Sequence, residues 1–294
     1  LWNHLSFDIS QNMEKEAATL TEQFAALSHP QRLAVFRLLV RRCPDALPAG
    51  EIAEVLGHKA STLSVYLAAL TRVGLISQTR RGTSLLYALD TKAAQGLVSD
   101  LFLDCCRGRP DLCPPIFHPL SDRSQTMRDR SYNVLFICTG NSARSIFAEA
   151  ILRDVAGDRF NAHSAGTRPG SELNPMALEI LAAKGIPTGD LRAKNVDEFQ
   201  GPEAPTFDFV FTVCDRAANE ECPAWQGQPI SAHWGLPDPV KTTGSAAERS
   251  LAFQQTYAMM RHRIIAFAAL PLDALDRVSL QNRVDDIGRE KETA

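Results

Sequence analysis

In the stretch YNVLFICTGNSARSIFAEA, Tyr132 to Ala150, an apolar run ends in Cys138, and five small or polar residues separate that thiol from Arg144. A loop of this kind, wound round the start of a helix, turns backbone N–H groups inward, and the helix dipole adds a field that favours negative charge. Gly140 permits the tight backbone and Asn141 tolerates left-handed geometry. Thr139, Gly140, Asn141, Ser142, Ala143, Arg144 and Ser145 then make a cradle for a tetrahedral oxyanion, with the planar Arg144 fork gripping two oxygens. The same positive field is expected to lower the Cys138 pKa, with Ser145 donating a hydrogen bond to the thiolate. Thiol and cradle together read as one device that binds an oxyanion and attacks its central atom.

The elements that must position this device are those of an α/β sheet. YNVLFIC reads as a buried strand and RSIFAEAILRDVAG as an amphipathic helix. With FNAHSAGT as a second strand, FDFVFTVC as a third and GQPISAHWGLPDP further on, this text resembles the low-molecular-weight phosphotyrosine phosphatases. The resemblance implies α/β architecture with a four-stranded parallel sheet, and it assigns Asp238 of the Asp238-Pro239 pair as general acid to the leaving oxygen.

Two further thiols do not belong to a phosphatase. Cys214 ends the third strand, and Cys222 follows in VCDRAANEECPAW. A reductase must deliver two electrons, which a thiol pair supplies. In a parallel sheet Cys138 and Cys214 end strands at the same carboxyl edge, and neighbouring strands lie roughly 4.8 Å apart, so the two sulfurs can meet. Eight residues of helix would hold Cys222 about 12 Å from Cys214, beyond the roughly 7 Å limit for a disulfide. If these two pair, the segment from Asp215 to Glu221 must loop or unwind on oxidation.

From about Ser131 to Leu270 the chain resembles the thioredoxin-coupled arsenate reductases, through CTGNSARS, SAGT, the paired cysteines and HWGLPDP. The resemblance implies that Cys138 attacks arsenic while Arg144 and the loop hold arsenate, and that Asp238 assists the loss of water. Cys214 then attacks Cys138 and releases arsenite, Cys222 attacks Cys214, and thioredoxin reduces the final pair. No tightly bound cofactor is implied. Some members bind potassium through an asparagine, a glutamate, a serine and an aspartate. Asn141, Glu149 and Ser164 match the first three, and Lys194 stands where the aspartate would be, so an ammonium is expected in place of the ion. His163 and His233 lie in strand-like text and read as structural.

The first half is helical text with a different task. Glu14 to Leu27 reads as a helix with Leu20, Phe24 and Leu27 on one face; Ser28 caps the next, whose stripe is Leu33, Phe36 and Val40. AGEIAEVLG is a short helix closed by Gly57, and the helix after it turns Leu63, Leu67 and Leu70 inward and stops at Gly74. Two short helices round a tight turn are the pattern of a helix-turn-helix, and LISQTRRGTSLLYAL alternates on both sides of Arg81-Gly82 as a hairpin would. From Pro30 to Asp90 eight Lys/Arg stand against four acids, so this segment is locally basic although the whole chain carries −3. Ser61, Thr62, Ser64 and Tyr66 at the start of the second helix can meet base edges in a major groove, and Arg80 and Arg81 can reach phosphate. A plain helical bundle with a solvated basic face fits the same pattern. ALSHPQRLAVFRLLV, IAEVLGHKASTLSVYLAALTRVGLI and RRGTSLLYAL resemble the ArsR/SmtB winged-helix repressors over roughly Glu14 to Asp104. That resemblance implies a dimeric, metalloid-responsive repressor bound to a double-stranded DNA operator.

LVSDLFLDCCRGRPDLCPP carries Cys105, Cys106 and Cys113. Adjacent cysteines on a helix point about 100° apart and converge on one ion only where the helix ends; a third sulfur returning after a turn completes a three-thiolate site suited to a thiophilic ion such as arsenite. Zinc would want a fourth ligand, and only His118 is near. Cys43 reads as a packing residue.

The expected organisation is thus a tail over 1–13, a winged helix-turn-helix domain over 14–104, the cysteine cluster and linker over 105–130, an arsenate reductase domain over 131–271 and a helical tail over 272–294. Seven cysteines, an odd count with one adjacent pair, fit reduced thiols in a cytoplasmic protein better than a disulfide framework. No apolar run approaches the roughly 20 residues that span a bilayer, and LWNHLSFDISQN lacks the pattern of a secretory signal.

Overall fold

Helix α1 (18–27) buries Gln23 and Ala26, and the Gln23 side-chain amide donates to Val73 O at 3.2 Å. Helix α2 (Pro30–Arg42) buries Val35, Leu38 and Leu39 against α4 (Ala60–Arg72) and β3 (Ser84–Leu89). These are not the stripes expected from sequence. Phe24, Leu33 and Val40 are 37%, 39% and 45% exposed. Both helices are apolar on two faces, so spacing alone does not say which face meets the core. The cap is also displaced by one residue: the His29 imidazole, not Ser28, accepts from the Gln31 amide, while the Ser28 hydroxyl donates to Ala25 O.

Helix α3 (Ala49–Leu56) ends on Gly57 at φ +67°, a left-handed conformation that glycine adopts without strain. Helix α4 turns Leu63, Leu67 and Leu70 into the core of this unit. Strands β2 (Ile76–Arg81) and β3 pair antiparallel from Ile76–Leu89 to Arg81–Ser84, with Gly82 at φ +62° in the turn. A two-residue strand, β1 (Leu47–Pro48), adds a third rung on the other side of β3. Helix α5 (Thr91–Ser99) follows. This is a helix-turn-helix with a hairpin wing.

The second unit is a parallel sheet in the order β5-β4-β6-β7, made of β4 (Tyr132–Cys138), β5 (Phe160–Gly166), β6 (Phe209–Thr212) and β7 (Ile230–His233). Helix α6 (Arg144–Ala156), expected to be amphipathic, is buried continuously from Ser145 to Leu152. It lies between the sheet and the long helix α9 (Ala246–Ala268), so no side of it faces water for long. Helix α7 (Pro175–Ala183) packs on both α6 and α9. The sheet's aromatic core runs through Phe136, Phe211, Trp234 and Phe267, with Trp234 stacked on Phe211 at 4.0 Å and 11°. Helix α10 (Arg277–Arg289) covers the edge strand β7 and buries Leu280, Val284 and Ile287. The Trp234 indole N–H donates to Val284 O at 2.9 Å, and Gln281 donates to Ser231 O at 2.7 Å. The C-terminal helix, which had no assigned partner in the sequence, thus closes a sheet edge.

The computed structural model describes residues 18–99, 131–201, 203–220, 225 and 229–290, in two units that divide between Ser121 and Asp122. Cys105, Cys106, Cys113 and Cys222 lie outside the described residues, as do 1–13 and 105–130. Among the described residues no helix is long and apolar enough to cross a membrane.

Candidate functional site

Cys138 is the last residue of β4, and Arg144 is the first of α6. The loop between them is shaped by the segment that follows β5. The amides of Thr167, Arg168, Gly170 and Asn174 donate to the carbonyls of Cys138, Thr139, Gly140 and Ser142. A planar trans peptide sets its N–H opposite its C=O, so with these carbonyls tied outward the amides of Thr139, Gly140, Asn141 and Ala143 turn the other way. The Asn141 amide meets the Cys138 sulfur at 3.0 Å. Gly166 makes the close approach possible, because a Cβ there would stand 2.7 Å from Thr139 O. The SAGT text therefore builds the cradle from behind, a role that residue type alone did not reveal.

Asn141, at φ 44° and fully buried, organises the polar atoms beneath the loop. Its Nδ2 donates to the hydroxyl oxygens of Ser145 (2.9 Å) and Ser164 (2.8 Å), and its Oδ1 accepts from the Lys194 amide at 2.7 Å. Each hydroxyl keeps its own hydrogen: Ser145 faces the Cys138 sulfur at 2.9 Å, and Ser164 donates to Glu149. Glu149, wholly buried, is held by Lys194 Nζ at 3.0 and 3.3 Å and by Arg153. Lys194 Nζ also donates to Arg192 O at 3.2 Å. An ammonium thus already satisfies the glutamate at the centre of the donor set, and the residues present do not fit a potassium ion.

Cys214 follows β6 directly. Thr212 pairs in register with Ile137, and the Val213 amide donates to Ile137 O, so Cys138 and Cys214 leave adjacent strands at the same edge. Both thiols are buried, at 3% and 2% exposure. Cys214 caps the short helix α8 (Asp215–Asn219); its sulfur accepts from the Ala217 amide at 3.4 Å and lies 3.5 Å from the Thr139 hydroxyl. Arg144 forms an ion pair with Asp238 at 2.8 Å and donates to Leu236 O at 3.2 Å. Cys138, Thr139, Gly140, Ser142, Ala143, Arg144, Cys214 and Asp238 all line one cleft of about 700 Å³. Asn141 and Ser145 lie beneath it. Asp215, Arg216 and Lys241 also line the cleft and were not singled out from the sequence; an isolated charged residue carries no signal until the fold brings it to the cleft.

The Cys138 thiol is not lowered as expected. Burial pushes its pKa above the ordinary cysteine value; the Ser145 hydrogen bond pulls it down, Cys214 raises it, and the Asn141 amide and Arg144 lower it. In the anion-free protein burial wins.

In the first unit Ser61, Thr62 and Ser64 are exposed on the first turns of α4, and Arg80 and Arg81 are exposed beside the hairpin turn. Tyr66 is half-buried, with its ring 5.1 Å from that of His29 and 5.6 Å from that of His58.

Iodoacetamide labelling of the Cys138 peptide, followed by mass spectrometry without oxyanions, will show a midpoint above that of free cysteine. Ser145→Ala, which removes a lowering hydrogen bond, will move that midpoint higher still. Lys194→Met leaves Glu149 with only Arg153 and the Ser164 hydroxyl and will cost about 3 kcal/mol of folding stability, read by denaturant unfolding. The parent protein's melting temperature will be the same in potassium and sodium at equal ionic strength.

Residues 133–279, half of the chain, match the family of the low molecular weight phosphotyrosine protein phosphatase, and residues 27–79 match a helix-turn-helix domain. An arsenate reductase of Bacillus licheniformis is 34% identical over 135 residues, 46% of this chain and 94% of its own length. That of Bacillus subtilis is 32% identical over the same shares. Among solved structures, an arsenate reductase from Archaeoglobus fulgidus aligns at 23% identity and a TM-score of 0.38, covering 47% of this chain and 99% of its own. By its second unit the chain belongs to the low molecular weight phosphotyrosine protein phosphatase family, and it joins that unit to a helix-turn-helix.

Proposed function

We propose that the second unit reduces arsenate to arsenite through a relay of three sulfurs, and that the first is a DNA-binding repressor released by arsenite. The observation that carries the reading is the second buried thiol: Cys214 lines the same cleft as Cys138, Arg144 and Asp238. Phosphate hydrolysis uses only the last three, because phosphorus leaves at the oxidation state at which it arrived. Arsenic(V) must gain two electrons, and a neighbouring thiol is their source. The curated relatives named arsenate reductase point the same way.

In the proposed sequence arsenate enters the cradle, and Arg144 turns its fork from Asp238 to the oxyanion. Cys138 Sγ attacks arsenic and an oxygen departs as water, Asp238 helping to protonate it. The Cys214 thiolate then attacks Cys138 Sγ. The S–S bond forms as the S–As bond breaks, and the bonding pair stays on arsenic, which becomes arsenic(III) and takes up protons as arsenite. Cys222 attacks Cys214, freeing Cys138, and thioredoxin reduces the Cys214–Cys222 disulfide. In the first unit Ser61, Thr62, Ser64 and Tyr66 meet the bases, Arg80 and Arg81 meet phosphate, and Cys105, Cys106 and Cys113 bind the arsenite.

Turnover of arsenate with thioredoxin, thioredoxin reductase and NADPH tests the enzyme half. The parent will turn over, while Cys214→Ser and Cys222→Ser will each stop after at most one equivalent of arsenite. If the protein hydrolyses p-nitrophenyl phosphate efficiently, without reducing arsenate, the phosphatase reading of the family description replaces this one. For the other half, double-stranded DNA selected from a random pool will bind the full chain and be released by arsenite. A Cys105→Ser/Cys106→Ser/Cys113→Ser protein will bind the same DNA and retain it.

A further inference from the structure

The His233 imidazole, buried at the end of β7, makes two contacts. Its Nε2 lies 2.9 Å from Asp215 Oδ1, and its Nδ1 lies 2.8 Å from Thr212 Oγ1. A carboxylate only accepts, so Nε2 carries the hydrogen and donates to Asp215. In the neutral ring Nδ1 then accepts from the Thr212 hydroxyl. Thr212 is the last residue of β6 and Asp215 the first of α8; Cys214 lies between them. One rigid ring on the neighbouring strand therefore ties down the chain on both sides of the second thiol.

The surroundings keep this ring in place. The backbone at His233 is in register with Thr212. A Cβ on Gly235 would stand 2.5 Å from His233 Nε2 and 2.9 Å from Asp215 Oδ1, so only glycine leaves room for the pair. A Cβ on Gly288 of α10 would stand 2.4 Å from His233 O, which shows how closely α10 backs this turn.

We propose that His233 is a positioning residue for the first sulfur-to-sulfur transfer: by stapling Thr212 to Asp215 it fixes the Cys214 bend and aims that sulfur at Cys138. The inference rests on the relay proposed above. It goes beyond it by giving the histidine a part in the Cys214 attack on Cys138 and none in binding the oxyanion, since its ring nitrogens face Thr212 and Asp215. The step it serves is the one already balanced: the Cys138–Cys214 bond forms, the Cys138–arsenic bond breaks, and arsenic leaves reduced by two electrons.

The test uses the full chain with Cys222→Ser, which halts the relay after that step. Without thioredoxin this parent will release one equivalent of arsenite when mixed with arsenate. Adding His233→Phe will slow release by between about tenfold and a hundredfold, the range for a reacting group displaced by an ångström or less. Gly235→Ala, which crowds the pair without removing it, will slow it similarly, and His233→Gln, which keeps one N–H for Asp215, will recover part of the rate. Phosphate affinity at the Cys138 loop, measured by calorimetry, will be unchanged in His233→Phe. Release at the parent's rate in both His233→Phe and Gly235→Ala overturns the proposal. So does a parallel loss of release and phosphate affinity, which would make His233 a support of the whole domain. If the Cys222→Ser parent itself releases no arsenite, the relay reading fails, and this inference with it.

Discussion

Asn141 decides which way the hydroxyls beneath the anion loop point. A carboxamide nitrogen has two hydrogens and cannot accept, so both serine oxygens it meets must accept from it. Each serine is left with one hydrogen, and only one useful place to send it. Ser145 serves the Cys138 sulfur and Ser164 serves Glu149. The left-handed backbone at Asn141 is what brings that side chain under the loop while its own amide reaches the Cys138 sulfur. The geometry around the thiol is therefore dictated from below, before any oxyanion arrives, in the manner of a preorganised site.

That arrangement needs an anchor, and the anchor is electrostatic. Glu149 is a buried carboxylate on a helix that has almost no wet side, which would be costly without a partner. The Lys194 ammonium supplies one and also hands its backbone amide to Asn141 Oδ1. One residue thus both neutralises the glutamate and orients the asparagine. The chain from Lys194 through Glu149, Ser164, Asn141 and Ser145 to Cys138 is continuous and fully paired, the condition under which a buried polar network specifies a single arrangement.

The parts of this that were legible in the sequence are those set by backbone chemistry. A cysteine after a buried strand, a Gly-Asn turn and an arginine opening a helix can hardly be arranged otherwise, and the parallel strands brought Cys214 to the expected edge. Gly57, Gly74 and Gly82 all stand at positive φ where helix ends and a turn were read. The failures share a different cause. Leu33 and Val40 were read as inward because they recur at helical spacing, yet Val35, Leu38 and Leu39 do so too, and only the partner surface chooses between them. Helix α6 reads as amphipathic because charged residues interrupt its apolar text, yet the charge of Glu149 is buried and is answered from 45 residues away in the chain. The direction of the Cys138 pKa was misjudged for the same reason: the charges near it were visible, but the depth of burial was not. The two partners of His233 lie on another strand and at the start of a helix, which spacing does not connect.

Burial also explains why two thiols alone would not complete a reductase of this design. Cys138 and Cys214 both line the cleft, but both are almost wholly hidden from solvent. A protein reductant offers its own sulfur from a folded surface and cannot reach a disulfide at that depth. In the proposed relay electrons therefore come in on a sulfur that moves. Cys214 lies at the start of a five-residue helix, and Cys222 follows eight residues later in the same stretch of chain. A helix that short has few internal hydrogen bonds to lose, so unwinding it costs less than unwinding a long one. Its middle buries only the small side chains of Ala217 and Ala218, and polar contacts hold its ends: His233–Asp215 at the start, and Glu220 between Arg168 and Arg216 at the finish. Those end contacts are polar and reversible, whereas the strands behind them are packed through Phe136, Phe211 and Trp234. The sheet is thus the fixed half of this unit and α8 the half that can give way, which is what the proposed relay requires.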